Sequence, residues 1–264
     1  MVVEEKYMLP DDIEKGGVFV ATSVLHQRAQ EVRNQRINWQ FYFQSQMISE
    51  EDYNFISNFD GVDASTRMSL IQGNPHQLPK TFMNLLSQIS KDATIQYLLT
   101  LLDDLLQEDK SRVEIFKTFY AKRVESVWTH LLTLLNRQVG FTMNMTAQVI
   151  VKMACWSCKL MQGSDLQLYL TWLKDQLRAP NNEYIQSVAR CLQMMLRIDQ
   201  YRIAFVSLDG IGVLVGVLSG RVNFQIQYQL SFCLWVMTFN ITIAEKLNKY
   251  VRIMKLSFRN KGIF

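Results

Sequence analysis

The 264-residue sequence predicts an all-α protein built from repeated helices. Three observations support this fold class. The chain has only 11 glycines and 4 prolines, about half the share of an average protein, although sheet proteins need these residues in their many turns. Apolar residues recur at helical spacing, as in Phe82, Leu85, Leu86 and Ile89. A further set of apolar residues returns every 42 residues.

The predicted helices follow a flexible N-terminal lead at residues 1–20. Ser49 with Asp52 three residues later has the character of a capping box and starts one of them. Asn74-Pro75 breaks the chain, and residues 178–182 form the clearest loop of the second half. The helices are expected near residues 22–36, 49–59, 82–89, 98–106, 113–121, 128–135, 143–160, 166–177, 183–198, 212–218 and 224–238, with a last one to about residue 259.

The 42-residue interval predicts the architecture of these helices. Three positions at i, i+3 and i+6 keep their size class in three copies, and a small residue at the first position lets neighbouring helices approach closely. Repeats of this length are typical of armadillo and HEAT solenoids. Residues 21–264 are therefore expected to form an armadillo/HEAT-like right-handed helical solenoid, an α-α superhelix. The matched triplets are Ala147, Ala189 and Ser231; Ile150, Leu192 and Leu234; and Met153, Met195 and Met237.

Charge and patterning argue against several functional classes. The 28 basic and 24 acidic residues are interleaved, whereas nucleic-acid-binding proteins concentrate Lys and Arg in a stripe. The acidic N-terminus lacks the pattern of a secretion signal, which favours a cytosolic setting with free thiols. Residues 222–244 carry no charge over a length that could span a bilayer. Their several Asn and Gln side chains would be costly in lipid, so a buried helix is favoured.

The motif Cys155-Trp-Ser-Cys158 is the strongest candidate for chemistry. A redox pair of this kind lies at the N-terminus of a helix, where the helix dipole lowers the pKa of a thiol. Here the pair lies near the end of a long helical segment, where the dipole acts in the opposite sense. All four cysteines, including Cys191 and Cys233, are therefore predicted to be small apolar residues of the core.

The other candidate motifs are incomplete. The three histidines are far apart, so the short ligand spacing of a zinc site is missing. Gly210-x-Gly212-x-x-x-Gly216 misses the dinucleotide-binding spacing by one residue and has no βαβ unit around it. The acidic pair Asp103-Asp104 is interpreted as a solvated helix edge. No catalytic residue, cofactor site or metal site is predicted.

A polar stripe is the candidate for partner binding. Gln186, Arg190, Gln193 and Arg197 fall at i, i+4, i+7 and i+11 of one predicted helix. Solenoids often present such a face on their concave side, where it binds extended or helical partners. A simply solvated face would show the same pattern, and both interpretations remain open.

Four segments closely resemble the N-terminal region of the H subunit of the vacuolar proton-translocating ATPase. The similarity runs in order from about Thr22 to Tyr250, through segments that have no catalytic meaning. The segments are AQEVRNQRINWQFYFQSQMISEEDYNFISNF (29–59), KTFMNLLSQISKDATIQYLLTLLDDLLQED (80–109), GSDLQLYLTWLKDQL (163–177) and QSVARCLQMMLRIDQYRIAFVSLDGIGVLVGVLS (186–219).

The resemblance implies a non-catalytic regulatory and stator-linking subunit of the pump's peripheral sector. Such a subunit supports ATP hydrolysis coupled to proton transport and needs no cofactor. The expected partners are the E and G subunits of the peripheral stalk, other pump subunits and endocytic adaptor proteins, without nucleic acid. The implied location is the cytosolic face of vacuolar, lysosomal and endosomal membranes, reached only through the pump complex.

The sequence departs from the family's pattern near its end. Lys249-Tyr250 runs directly into Val251, where relatives have a further loop and helix, and the chain stops at Phe264. The last repeat is therefore expected to be incomplete and the C-terminal domain absent. Residues 239–261 are predicted to form one long or bent helix with an exposed apolar stripe.

Two other functions are weighed against this one. A generic armadillo-type adaptor or nuclear-import-like scaffold would line its groove with Trp and Asn four residues apart. Trp235 and Asn240 are five apart and have no counterparts in other repeats. A thiol-dependent enzyme would use Cys155 and Cys158.

Overall fold

The computed structural model describes residues 23–121, 126–220 and 222–260, with side chains up to residue 250. Within these ranges every regular element is a helix, as predicted. The proposed lead at residues 1–20 lies outside the described residues. The described chain forms two compact units that divide between Asp165 and Leu166. They are called the N-terminal and C-terminal units below.

The helices of the N-terminal unit are α1 (Val24–Arg33), α2 (Trp39–Gln44), α3 (Glu50–Phe59), α4 (Ala64–Gly73), α5 (Gln77–Gln88), α6 (Asp92–Glu108), α7 (Val113–Ala121), α8 (Val127–Leu134) and α9 (Gly140–Trp156), with a 3-10 turn at Lys110–Arg112. Helix α10 (Gly163–Arg178) crosses the division between the units. The helices of the C-terminal unit are α11 (Ile185–Met195), α12 (Asp199–Ser207), α13 (Gly210–Leu218), α14 (Phe224–Met237) and α15 (Ile241–Asn260).

The N-terminal unit is organised around the two 17-residue helices α6 and α9. Helix α6 packs against both α1 and α9, and α1 also contacts α9.

Side chains cap several helices. Ser49, the predicted cap, accepts the backbone N–H of Asp52 at 3.1 Å and donates its hydroxyl to the Asp52 carboxylate. Asp52 is buried and also accepts the hydroxyl of Thr81 at 2.8 Å, so the cap of α3 also joins this helix to α5.

The C-terminal unit contains a sharp bend between two consecutive helices. Helices α12 and α13 meet at 80°, across Asp209, whose φ is +61°. The short helix predicted near residues 212–218 is therefore confirmed in α13. The bend brings Gly210 against the ring of Phe205, which is fully buried. The strand that a dinucleotide-binding loop would need before Gly210 is instead helix α12.

Replacing Gly210 with alanine should lower the free energy of unfolding by about 1–3 kcal/mol. A Cβ atom at this position would lie 2.3 Å from the Phe205 ring, which is fully buried, so the ring or the helix would have to shift. The loss is measured by chemical denaturation. Gly216→Ala on the same helix is the matched control, because its Cβ would meet nothing within 4 Å. That substitution should stabilise by up to about 1 kcal/mol, and an equal loss in both variants would contradict the steric explanation.

The 42-residue interval is confirmed. Two of the three positions predicted to face the core, those of Ala147 and Ile150, lie one residue after positions that are buried in every copy. Ser231 is exposed and Leu234 is only half-buried, so the prediction that both lie in the core layer is wrong. Three of the positions that are buried in all three copies follow i, i+3 and i+7, and such positions lie on a single face of an α-helix. They are Thr146, Val188 and Leu230; Val149, Cys191 and Cys233; and Met153, Met195 and Met237.

Three polar contacts inside the units span separations close to the length of one repeat. In the N-terminal unit, Arg67 pairs with Glu108, 41 residues away, and Arg137 pairs with Asp92, 45 residues away. In the C-terminal unit, Asn240 donates to Asp199, 41 residues away, at 2.9 Å. These side chains therefore join each repeat to its neighbour within a unit.

None of the helices in the described ranges is by itself long and apolar enough to cross a membrane. Among the described residues, the bent pair α12–α13 is the one pair that meets that test of length and composition when its two helices are taken together. The uncharged segment 222–244 is divided between α14 and α15.

Candidate functional site

The predicted polar stripe lies on α11 and at its end. Gln186, Arg190, Gln193 and Arg197 are all half-buried. The amide of Gln193 donates to the backbone carbonyl of Gln229 at 3.3 Å, because α11 packs against α14. The stripe is therefore bordered by α14, and its role in partner binding stays a prediction.

Helix α14 carries aromatic residues at the positions that correspond to the polar stripe. One repeat of 42 residues after the four stripe positions, the sequence has Tyr228, Phe232, Trp235 and Phe239. These four residues are called the aromatic face below. Tyr228, Trp235 and Phe239 are each about half exposed. The Trp235 ring lies 5.4 Å from the Phe232 ring and 5.0 Å from the Phe239 ring, measured between centroids.

The aromatic face corrects the expectation that residues 222–244 form one buried helix. One side of α14 is covered, with Leu230 and Cys233 fully buried, whereas Phe224 and Ile241 are each 78% exposed. Helix α15 confirms the long helix predicted for residues 239–261. Its side chains beyond Tyr250 lie outside the described residues, so the apolar stripe expected there stays a prediction. The aromatic spacing on α14 was visible in the sequence, and stepping the stripe by one repeat would have found it.

The interpretation of Asp103-Asp104 as a solvated edge is wrong for Asp103. Its carboxylate is buried and lies 2.7 Å from Nζ of Lys152, itself buried on α9. Gln148 also donates to this carboxylate at 2.9 Å. Asp104 is more exposed, and its carboxylate accepts two bidentate hydrogen bonds from the guanidinium of Arg33. The sequence shows two adjacent acids on a leucine-rich helix, but the partner bases lie 49 and 71 residues away in the chain.

The cysteines divide into two groups. Cys191 and Cys233 are buried, as predicted, and burial raises the pKa of the Cys233 thiol. Cys158 is exposed, so its assignment to the core is wrong. It follows the C-terminal end of α9 and hydrogen-bonds to Glu114 through both its backbone N–H and its thiol. Cys155 lies within α9 and is half-buried.

The histidines are separated in the structure as in the sequence. His76 faces the ring of Phe119 and His130 faces the ring of Tyr120, while His26 lies beside Gln30 on α1. In the part of the chain that the structure describes, no three His, Cys, Asp or Glu side chains are grouped as metal ligands.

The fold resembles that of a solved armadillo protein. A designed armadillo repeat protein, determined in complex with a (KR)4 peptide, superimposes with a TM-score of 0.54. The superposition covers 79% of this chain and 91% of that protein, at 12% sequence identity. At this identity the likeness concerns the fold alone, and it confirms the predicted armadillo-type solenoid.

In sequence, the chain is much more similar to one protein family than to this designed protein. The family model of the V-ATPase H subunit matches residues 23–259. The V-type proton ATPase H subunit of Drosophila melanogaster is 57% identical over 233 residues, which cover 88% of this chain and 49% of that protein. A probable V-type proton ATPase H subunit of Caenorhabditis elegans is 48% identical over 230 residues, covering 86% and 49%. The chain thus spans about half the length of these relatives, and it belongs to the family of V-ATPase H subunits.

Proposed function

We propose that the chain is a non-catalytic regulatory and stator-linking subunit of the peripheral sector of the vacuolar proton pump. In this role it supports ATP hydrolysis coupled to proton transport, and thereby organelle acidification. The observation that carries the proposal is the family match, which extends over residues 23–259 and so includes helices of both units. The assignment of residues 21–264 to one armadillo/HEAT-like domain stays a prediction.

The proposed mechanism is rigid bridging between static parts of the pump. A rotary motor needs elements that resist torque, and packed helical repeats transmit load with little deformation. The proposed partners are the E and G subunits of the peripheral stalk at the cytosolic face of acidic organelles, with endocytic adaptors as further partners. The polar stripe and the aromatic face of the C-terminal unit would supply the contact surface, since exposed aromatic and Arg side chains are enriched at interfaces.

A pull-down with the E–G heterodimer tests the assignment directly. The immobilised chain should retain the heterodimer at low salt. Failure to retain it, with the chain folded by far-UV circular dichroism, would overturn the stator-linking role and leave the fold untouched.

Reversing charge on the polar stripe tests where the stalk binds. The double variant Arg190→Glu, Arg197→Glu should weaken binding of the E–G heterodimer by roughly tenfold or more, because two cations at one interface are replaced by repelling anions. Binding is measured by surface plasmon resonance. Arg178→Glu is the control, since Arg178 is a more exposed arginine of the C-terminal unit and lies outside the stripe. Equal effects from both variants would place the stalk contact elsewhere.

The second candidate function is a generic armadillo-type peptide-binding scaffold, of the adaptor or nuclear-import-like kind. Trp235 favours it, because it presents an exposed indole on a solenoid helix. Asn240 argues against it, because its amide already donates to the Asp199 carboxylate. Titrating a fluorescent (KR)4 peptide distinguishes the two functions. Tight, saturable binding that is lost in Trp235→Ala would favour the scaffold.

A further inference from the structure

Helix α1 packs on the N-terminal unit in the way that a helical ligand binds a groove. It precedes the other described helices in the chain and contacts two of the repeated ones, α6 and α9. Its buried apolar residues fall at i, i+4 and i+7, the spacing by which amphipathic helices anchor themselves in grooves. They are Leu25, Ala29 and Val32. Beside them, the guanidinium of Arg33 donates two hydrogen bonds to the Asp104 carboxylate on α6, at 2.7 and 2.8 Å.

The face of α9 that corresponds to the polar stripe is covered. Its residues, each 42 positions before a stripe residue, are Asn144, Gln148, Val151 and Cys155. Asn144 and Val151 are buried. Both lie on the side of α9 opposite to Met153, which faces the core. We attribute this cover to α1, because it packs across both α6 and α9.

The corresponding face is open in the C-terminal unit. Here it consists of the polar stripe of α11 and the aromatic face of α14, on two helices that pack against each other as α6 and α9 do. The stripe residues are half-buried, whereas Tyr228, Trp235 and Phe239 are each about half exposed. One repeated surface is thus covered by a helix in one unit and exposed to solvent in the other.

We propose that the polar stripe and the aromatic face together bind an acidic amphipathic helix of a partner protein. The helical form follows from α1, which occupies the corresponding face of the N-terminal unit. The exposed rings of α14 would contact the apolar residues of the partner helix, spaced at i, i+4 and i+7 as in α1.

The charge of the partner helix follows from the arginines of α11. Helix α1 presents Arg33 to an acidic neighbour, whereas the polar stripe itself presents Arg190 and Arg197. Opposite charges favour the correct complex and like charges oppose it. A helix with Asp or Glu beside its apolar residues therefore fits the stripe, and a basic peptide does not. This inference does not depend on which protein supplies the helix.

The test uses the full chain and a fluorescein-labelled synthetic helix with leucines at i, i+4, i+7 and i+11 and glutamates beside them. Fluorescence anisotropy should show saturable binding. Two matched peptides test the chemistry of the surface. Lysines in place of the glutamates should weaken binding by roughly tenfold or more. A central proline, which breaks the helix, should weaken binding by a similar factor.

Variants of the protein test the location of the site. Trp235→Ser should weaken binding of the acidic peptide by roughly tenfold or more, because tryptophans at interfaces carry a large share of the binding energy. Ile203→Ser is the matched control and should leave the affinity unchanged. Ile203 is similarly exposed and belongs to the same unit, but it lies on α12. Far-UV circular dichroism verifies that both variants are folded.

Three results would overturn the proposal. They are absence of saturable binding up to about 1 mM acidic peptide, tighter binding of the lysine peptide or of (KR)4, and equal losses in Trp235→Ser and Ile203→Ser. The stator-linking role fails separately. If the chain binds the acidic peptide but does not retain the E–G heterodimer, the stator-linking role alone is overturned. If it retains the heterodimer but does not bind the peptide, the helix-binding surface alone is overturned.

Discussion

Replacing Lys152 with methionine is expected to lower the free energy of unfolding of the N-terminal unit by about 3–5 kcal/mol. The side chains of Lys152 and Asp103 are only 6% and 7% exposed, and their charged atoms lie 2.7 Å apart. Nζ of Lys152 also donates to the backbone carbonyl of Asp103 at 3.2 Å. Without the lysine, a buried carboxylate keeps only the amide of Gln148 as a partner, and the uncompensated charge is the main cost.

Chemical denaturation followed by far-UV circular dichroism measures this loss. Removing both charges, in Asp103→Leu with Lys152→Met, should restore most of the stability, because no buried ion is then left alone. Arg33→Met is the control for an exposed ion pair, because Arg33 and Asp104 are both about one-third exposed. This variant should lose less than about 1 kcal/mol of the free energy of unfolding. A loss below about 1 kcal/mol in Lys152→Met would contradict the assignment of this pair as a structural contact.

The second large effect concerns the aromatic face. The unmodified protein should bind the hydrophobic dye ANS, and the double variant Trp235→Ser, Phe239→Ser should lose at least about half of the dye fluorescence, because contiguous exposed apolar surface binds such probes. A whole aromatic side chain has about 150–250 Å² of surface, and Trp235 and Phe239 each expose about half of theirs. The same variant should also associate less at high concentration, as measured by sedimentation velocity.

A single exposed apolar residue provides the control for the dye measurement. Met68 on α4 is about half exposed and belongs to no aromatic cluster, so Met68→Ser should leave ANS fluorescence unchanged. Absence of ANS binding by a purified, monomeric sample of the unmodified protein would show that the aromatic face is covered in solution.

Helices were more predictable from the sequence than the faces they present. Helix α14 was expected at residues 224–238 and is found at Phe224–Met237, because helical position follows from local spacing and capping. Its exposed side depends on which neighbours cover it, and these neighbours are distant in the sequence. For the same reason the interval of 42 residues was found correctly, while Ser231 was placed in the core although it lies at the surface.

The polar contacts were the least predictable part of the molecule. Nothing near Asp103 in the sequence indicates that Lys152 lies against it, and nothing near Cys158 points to Glu114. By contrast, the cap at Ser49 was predictable because its partner Asp52 is three residues away. The candidate partner-binding stripe on α11 was visible as a helical pattern. Its aromatic counterpart on α14 required comparing the two copies residue by residue.

The contacts between successive repeats also bear on how the chain folds during synthesis. Within each unit the joining side chains are separated by about one repeat, as in Arg67 with Glu108 and Asn240 with Asp199. These contacts can therefore form once the next 40 or so residues have left the ribosome, a few seconds at about 5–20 residues per second. The packing of α1 against α9 must wait for roughly 110 residues. We expect most helices to dock soon after synthesis, and α1 to complete its packing only when α9 is present.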